Sequence, residues 1–168
     1  MTFLPLGRKD RIFCWLRMKP TGAWRFAFRL PIYLYHLGLG WLLGQRFLLL
    51  VHQGRNSGLR RETVLEVILH DPTNRESVVL SAWGEKADWY RNLQTTPAVE
   101  VQTGCERYRP VQRFLSPEEA YAALAKYERR YPWAARILSR LFGYPQGGPE
   151  AARRAFAESV RLVAFRPA

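Results

Sequence analysis

The stretch FLLLVHQGRNSGLRR, residues 47–61, sets an unbroken apolar run directly against a basic turn flanked by glycines. Phe47 to Val51 carries no polar side chain, and a short continuous apolar run of this kind reads as a buried strand. Gly54-Arg55-Asn56-Ser57-Gly58 is a cluster of turn residues. Its two glycines permit positive φ and let backbone N–H groups come close to a ligand. Ser57 adds a hydroxyl, and Arg55, Arg60 and Arg61 add forked cationic donors that match phosphate oxygens. A basic turn of this composition also serves as a plain solvated hairpin, so it needs a partner elsewhere in the chain before it becomes a site.

Toward the C-terminus the period changes. Thr63 to Leu69 alternates, with Leu65, Val67 and Leu69 on one side and Val64, Glu66 and Ile68 on the other. After the turn Asp71-Pro72-Thr73-Asn74, Ser77 to Ala82 reads as a third strand, and the three form an antiparallel meander. Lys86 to Thr95 predicts a helix ended by Pro97, and Val99 to Thr103 a fourth strand. Tyr108 to Phe114 predicts a fifth, which Pro110 places at a sheet edge. Ser116-Pro117-Glu118-Glu119 has the N-cap, first-position Pro and third-position Glu of a helix start. Helices to about Tyr131, over Trp133 to Phe142 and over Glu150 to Ala157 follow, then a closing strand from Val160 to Phe165. The expected class is α+β, with a small barrel of about six mainly antiparallel strands and flanking helices.

Toward the N-terminus, Pro31 is placed to open an apolar helix reaching Leu43. The whole apolar stretch, Leu30 to Gly44, is shorter than the ~20 residues a membrane-spanning helix needs. Residues 1–29 alternate cations with aromatics and read as a separate basic, aromatic arm ahead of a domain at 30–168. The net charge of +12 is concentrated at the two ends of the chain. Residues 1–30 hold seven Lys/Arg against one Asp, residues 31–106 seven against eight acids, and residues 107–168 twelve against five. Such flanks suit a polyanionic small molecule, anionic lipid or nucleic acid. Cys14 and Cys105 have no CxxC spacing, and His36, His52 and His70 stand apart from any metal-ligand pattern. No metal site is therefore expected, the histidines read as structural, and a reduced, cytoplasmic setting is the default. The opening MTFLPLGRKDRIF lacks the uninterrupted apolar run of a secretory signal.

The partner segment for the basic turn is Ser81-Ala82-Trp83-Gly84-Glu85-Lys86-Ala87-Asp88-Trp89-Tyr90-Arg91-Asn92-Leu93. A strand runs into a Gly turn and then a helix, whose first N–H groups and positive end suit an anion. Trp83, Trp89 and Tyr90 could wall a flat ring. Trp89 and Leu93, at i and i+4, are equally suited to be core anchors.

The joint pattern, GRxSGxxR after an apolar strand and then a WYxNL helix and PxVxVQ, resembles the deazaflavin-dependent nitroreductase family over about Phe47 to Tyr131. The resemblance implies a split β-barrel related to FMN-binding pyridoxamine-phosphate-oxidase-like proteins. It also implies hydride transfer with the deazaflavin coenzyme F-420. Carried over by position, Arg55, Ser57 and Arg61 fall on the phosphate-binding turn, with Asn56, Gly58 and Arg60 beside them. Ser81, Ala82 and Trp83 fall at the strand end near the ring. Gly84, Lys86, Trp89 and Asn92 fall on the second cofactor segment. Tyr131 is the candidate catalytic residue, a proton donor or substrate contact, with Trp133 nearby. Asn56 stands where many members have Lys, Arg60 replaces a common Pro, and the turn before Trp89 is shorter.

The reading that follows is an oxidoreductase delivering hydride from the reduced deazaflavin to an enone, quinone or nitroaromatic acceptor. The cofactor carries the hydride chemistry, which agrees with the lack of a Ser-His-Asp, Cys-His or paired-carboxylate arrangement. The alternatives are an FMN- or other flavin-binding split barrel and, behind both, a basic nucleic-acid-binding module, for which no recognised motif is present. A homodimer is expected by fold analogy. The arm is expected to cover the barrel, or to touch an anionic surface at the inner face of the membrane.

Overall fold

A computed structural model describes residues 31–81 and 83–168. The arm at 1–29, and Ala82, therefore lie outside the described residues.

The apolar run and its basic turn form a hairpin. Strand β1 (Phe47–Gln53) pairs antiparallel with β2 (Arg60–Asp71), Phe47 opposite Glu66 and Gln53 opposite Arg60. β3 (Glu76–Ser81) continues the meander, β4 (Glu100–Thr103) lies on the other side of β1, and β5 (Glu106–Tyr108) pairs with β4. β6 (Pro110–Phe114) and β7 (Arg161–Pro167) complete one seven-stranded sheet in the order β5-β4-β1-β2-β3-β7-β6. Its two outer strands are separated in the chain by Arg109 alone. The sheet must therefore curl until its edges approach, which gives a nearly closed barrel. The seam is bridged by a side chain: Gln112 Nε2 donates to the Leu93 carbonyl at 3.0 Å, and Gln112 Oε1 accepts from the Ala98 N–H at 2.8 Å.

Alternation along the strands builds two cores. Leu48, Leu50, Val67, Val79, Val101, Val163 and Phe165 fill the barrel, with Trp89, Tyr90 and Leu93 of helix α1 (Asp88–Thr95) packed into the same cluster. Ile68, Val78, Leu162 and Ala164 belong to the other face of the sheet. They are covered by α2 (Pro117–Arg130), α3 (Pro132–Phe142) and α4 (Glu150–Ser159) through Ala123, Leu124, Tyr127, Ala135, Leu138 and Ala157. Burying each large apolar side chain contributes about 1.5–3 kcal/mol. The start of α2 is a capping box, Glu119 N–H donating to Ser116 Oγ and Ser116 N–H to the Glu119 carboxylate.

Three expectations are corrected. The apolar segment after Pro31 is not one helix: residues 31–36 are helical, Gly38 takes φ 72°, and a 3-10 turn spans Gly40–Leu43. Gly40 is held there because a Cβ would meet the Tyr35 ring at 2.5 Å. The expected fifth strand divides at Arg109 into β5, paired with β4, and β6, paired with β7, and the described residues form seven strands of the expected antiparallel barrel. Leu69 does not share a face with Leu65 and Val67. A register shift between Val67 and Leu69 turns it to the helix-covered core beside Ile68.

Candidate functional site

Strand direction gathers the two constellations at one end of the barrel. β1 ends and β2 begins there, at the Gly54–Leu59 turn. β3 ends there at Ser81, opposite Arg161 at the start of β7. The chain then passes through a 3-10 turn, Gly84–Lys86, into α1, which lies across the barrel mouth and leads to β4.

The turn is drawn tight by Gly58 N–H and Ser57 N–H, which both donate to the Gly54 carbonyl, at 2.7 and 3.2 Å. Gly58 has φ 65°, a conformation that favours glycine. Gly54 has no room for a side chain, since a Cβ would stand 2.7 Å from Ser57 Oγ. Ser57 Oγ accepts from Leu59 N–H at 3.4 Å.

The turn is tied to α1 by Arg55. Its main-chain N–H and its Nη1 donate to Asn92 Oδ1 at 3.0 and 3.1 Å, and its guanidinium reaches Asp88 at 3.4 Å. Asn92 Nδ2 lies 3.0 Å from Nδ1 of His52, and both residues are buried. His52, which the sequence reading treated as structural, is joined to the turn and α1 through Asn92. Its signal was a polar residue at the inner end of an apolar strand, immediately before the turn. Burial pulls its imidazole below the ordinary value, and Arg61 across the ladder pulls the same way.

The remaining candidates divide by surroundings. Ser81 is buried and donates its hydroxyl to the Gly84 carbonyl at 2.8 Å, fixing a turn whose Gly84 has φ 55°. Trp89 is a core residue, packed edge-on against Tyr90, which itself lies edge-on to Phe114. Trp83 is 43% exposed and meets Phe142, at the end of α3, edge-on with 5.8 Å between centroids. Asn56, Arg60, Arg61 and Lys86 are accessible at the rim. Arg60 lies within 3.8 Å of the carboxylates of Glu62 and Glu100, whereas Arg61 and Lys86 have no carboxylate in ion-pair range among the described residues. Ala87 stands at the N-cap of α1 and makes no side-chain cap hydrogen bond.

Tyr131 is not brought to this end. It joins α2 to α3, its hydroxyl accepts from Arg130 Nε at 3.0 Å, and the Arg46 guanidinium lies over its ring at 4.8 Å and over Trp133 at 4.4 Å. Arg46 immediately precedes β1 and pairs with Glu66. Within one chain the length of β1, about 20 Å at ~3.3 Å per residue, separates that cluster from the basic turn.

A nearly closed antiparallel barrel with a glycine-shaped basic turn docked beside a strand–turn–helix segment is a split-barrel protein. The family model for F420H(2)-dependent quinone reductase matches residues 36–135, and the chain belongs to this family. A Mycobacterium tuberculosis protein with the provisional name F420H(2)-dependent quinone reductase is 36% identical over 90 residues, which are 52% of this chain and 73% of that protein. Among solved structures, one described as a domain-swapped dimer is 16% identical, covers 86% of this chain and 100% of its own, and superposes with a TM-score of 0.50. One described as an F420-H2 dependent reductase is 19% identical, with coverage of 74% and 96% and a TM-score of 0.49. At such identities the likeness is one of fold.

Proposed function

We propose that this chain reduces a quinone-type acceptor with the deazaflavin coenzyme F-420 held at the α1 end of the barrel. The observation that carries the reading is the docking of the basic turn onto α1 by Arg55 and Asn92, with Arg61 and Lys86 beside it and no carboxylate in ion-pair range of either among the described residues. A phosphodiester with a polyglutamate tail is a polyanion, and this donor set suits it. Arg61, Lys86 and the turn would hold the phosphate and tail, and Trp83 would shape the ring pocket. When bound, the deazaflavin would supply two electrons as hydride, and the acceptor anion so formed would take one proton from water or a side chain. The chain's own part is binding and orientation.

The test is a fluorescence titration of the purified protein with coenzyme F-420, followed by turnover with a quinone, an enone and a nitroaromatic. Binding at micromolar concentration with the quinone turned over fastest is the expected result. Binding of FMN in preference to the deazaflavin would replace this reading with the flavin one.

Two further contacts belong to the same proposal. The exposed Leu37, Trp41 and Leu42 support a peripheral contact with anionic lipid, and co-sedimentation with anionic vesicles reads it. No helix among the described residues is long and apolar enough to cross a membrane. The open edge of β6, with Val111 and Phe114 exposed, supports a homodimer, read by light scattering.

A further inference from the structure

We propose that His52 and Asn92 form a positioning pair that sets the Gly54–Arg61 turn for the cofactor, acting through Arg55. The inference rests on the cofactor reading above and deepens it, since neither residue need touch the ligand.

The argument is one of hydrogen-bond polarity. Asn92 Oδ1 faces two donors, the Arg55 N–H at 3.0 Å and Arg55 Nη1 at 3.1 Å. That fixes which way the carboxamide points, because turning it over would set its NH2 against both. Its Nδ2 then donates to His52 Nδ1 at 3.0 Å. His52 must accept there, so its proton sits on Nε2 and the ring is neutral. The chain of contacts runs from a buried strand residue, through a buried amide, to the main chain and guanidinium of one rim residue. Ser57 and Gly58 come two and three residues after Arg55 and are pinned to Gly54, so the whole turn takes its position from this anchor.

Protonating His52 reverses the polarity. Nδ1 becomes a donor facing the Asn92 NH2, and flipping the amide only moves the donor–donor conflict to Arg55. Burial is the largest influence against the charge and Arg61 on β2 adds to it, while a hydrogen bond with the Gln53 main chain and Asp88 on α1, itself engaged by Arg55, favour the charge. Glu100 on β4 stands opposite Val51, one residue away, and pairs with Arg107 and Arg60. Burial therefore keeps the ring neutral at neutral pH. With a folded value below the unfolded one, the anchor is intact above the ordinary imidazole range and is lost as pH falls through the folded value.

The test compares the wild type with His52→Asn and Asn92→Ala in two measurements between about pH 8 and about pH 5. His52→Asn retains an acceptor near the Nδ1 position but cannot titrate. One measurement is affinity for coenzyme F-420, and the other is amide exchange of residues 54–59 in the cofactor-free protein, corrected for intrinsic rates. In the wild type, affinity and protection should both fall toward acid pH. In His52→Asn both should stay flat, with affinity at pH 8 close to the wild type. Asn92→Ala should lose about tenfold or more in affinity at pH 8 and show a flat pH profile, since the Arg55 N–H and His52 Nδ1 lose that partner while the Arg55 guanidinium keeps Asp88. Identical pH profiles in the wild type and His52→Asn would overturn the proposal, as would an Asn92→Ala protein with wild-type affinity. A wild type that binds no coenzyme, yet shows His52-dependent protection of the turn, would overturn the proposed function and leave the anchor standing.

Discussion

Reversing the two unpaired rim cations together, as Arg61→Glu with Lys86→Glu, is expected to weaken binding of coenzyme F-420 by roughly a hundredfold or more. A hydrogen bond to a charged group is worth about 1.5–3 kcal/mol, and two such bonds are replaced by repulsion. Neither cation has an acidic partner to lose among the described residues, so the substitutions add carboxylates to the rim without breaking an ion pair. The folded state should survive, because exposed substitutions rarely move stability by more than about 0.5 kcal/mol. The comparison is Arg109→Glu with Arg166→Glu, which changes net charge equally. Both of those residues are exposed, one joining β5 to β6 and the other near the end of β7, at the far end of the barrel. A polyanion drawn by bulk charge alone would be lost equally in both proteins, and equal loss would end the case for a site at the α1 end. Raising the salt should weaken wild-type binding and shrink the difference between the two proteins.

The largest expected loss of stability comes from Phe165→Ala. Phe165 is fully buried inside the barrel, on the strand inserted between β3 and β6, opposite Ser77 on one side and Gln112 on the other. Removing a buried Phe costs about 3–5 kcal/mol, part of it transfer and part the cavity left behind. That is a large share of the ~5–15 kcal/mol that holds a typical domain together. The melting temperature should fall by about 6–20 °C for a chain of this size. Val111→Ala, on the exposed face of β6, should move it by a degree or two at most. Differential scanning calorimetry decides, and a drop for Phe165→Ala no larger than that for Val111→Ala would mean that the barrel interior is not the core described here.

Much of the fold was legible because local rules and burial agree. The run at Phe47 to Val51 is a strand buried on both faces, Pro110 opens a strand at the sheet edge, and Ser116 to Glu119 form the cap their spacing announced. What stayed hidden depends on contacts distant in sequence. Nothing in Tyr108 to Phe114 says that the first part pairs with β4 and the rest with β7, because both partners are set by how the sheet closes. Where the apolar segment after Pro31 breaks depends on Gly38, at φ 72°, and on Gly40 lying against Tyr35. In the site, the sequence marked Arg55 and Asn92 as members but not as each other's partners, and it passed over His52. Their link spans from residue 52 to residue 92 and exists only once α1 lies across the barrel mouth. Trp83 and Trp89, six residues apart, both read as possible walls of a ring pocket, and Trp89 equally as a core anchor. The turn at Gly84 sends one outward toward Phe142 and the other into the core.

The place of β7 in the sheet has a consequence for biosynthesis. It is the last strand in chain order, yet it lies between β3 and β6, and it joins residues as distant as Ser77 and Phe165. On a ribosome β1 to β3 and β4 to β5 form as neighbouring hairpins and join when β4 reaches β1, while β3 waits with one edge open and β6 has no strand to join. An open apolar edge is a template for pairing with another chain, and such species are the ones that aggregate during synthesis. The capping box of α2 and the helices that follow emerge before β7 and can shield the outer face of β3 during that interval. A ribosome stalled between α4 and β7 would therefore expose the form of this protein most in need of a chaperone.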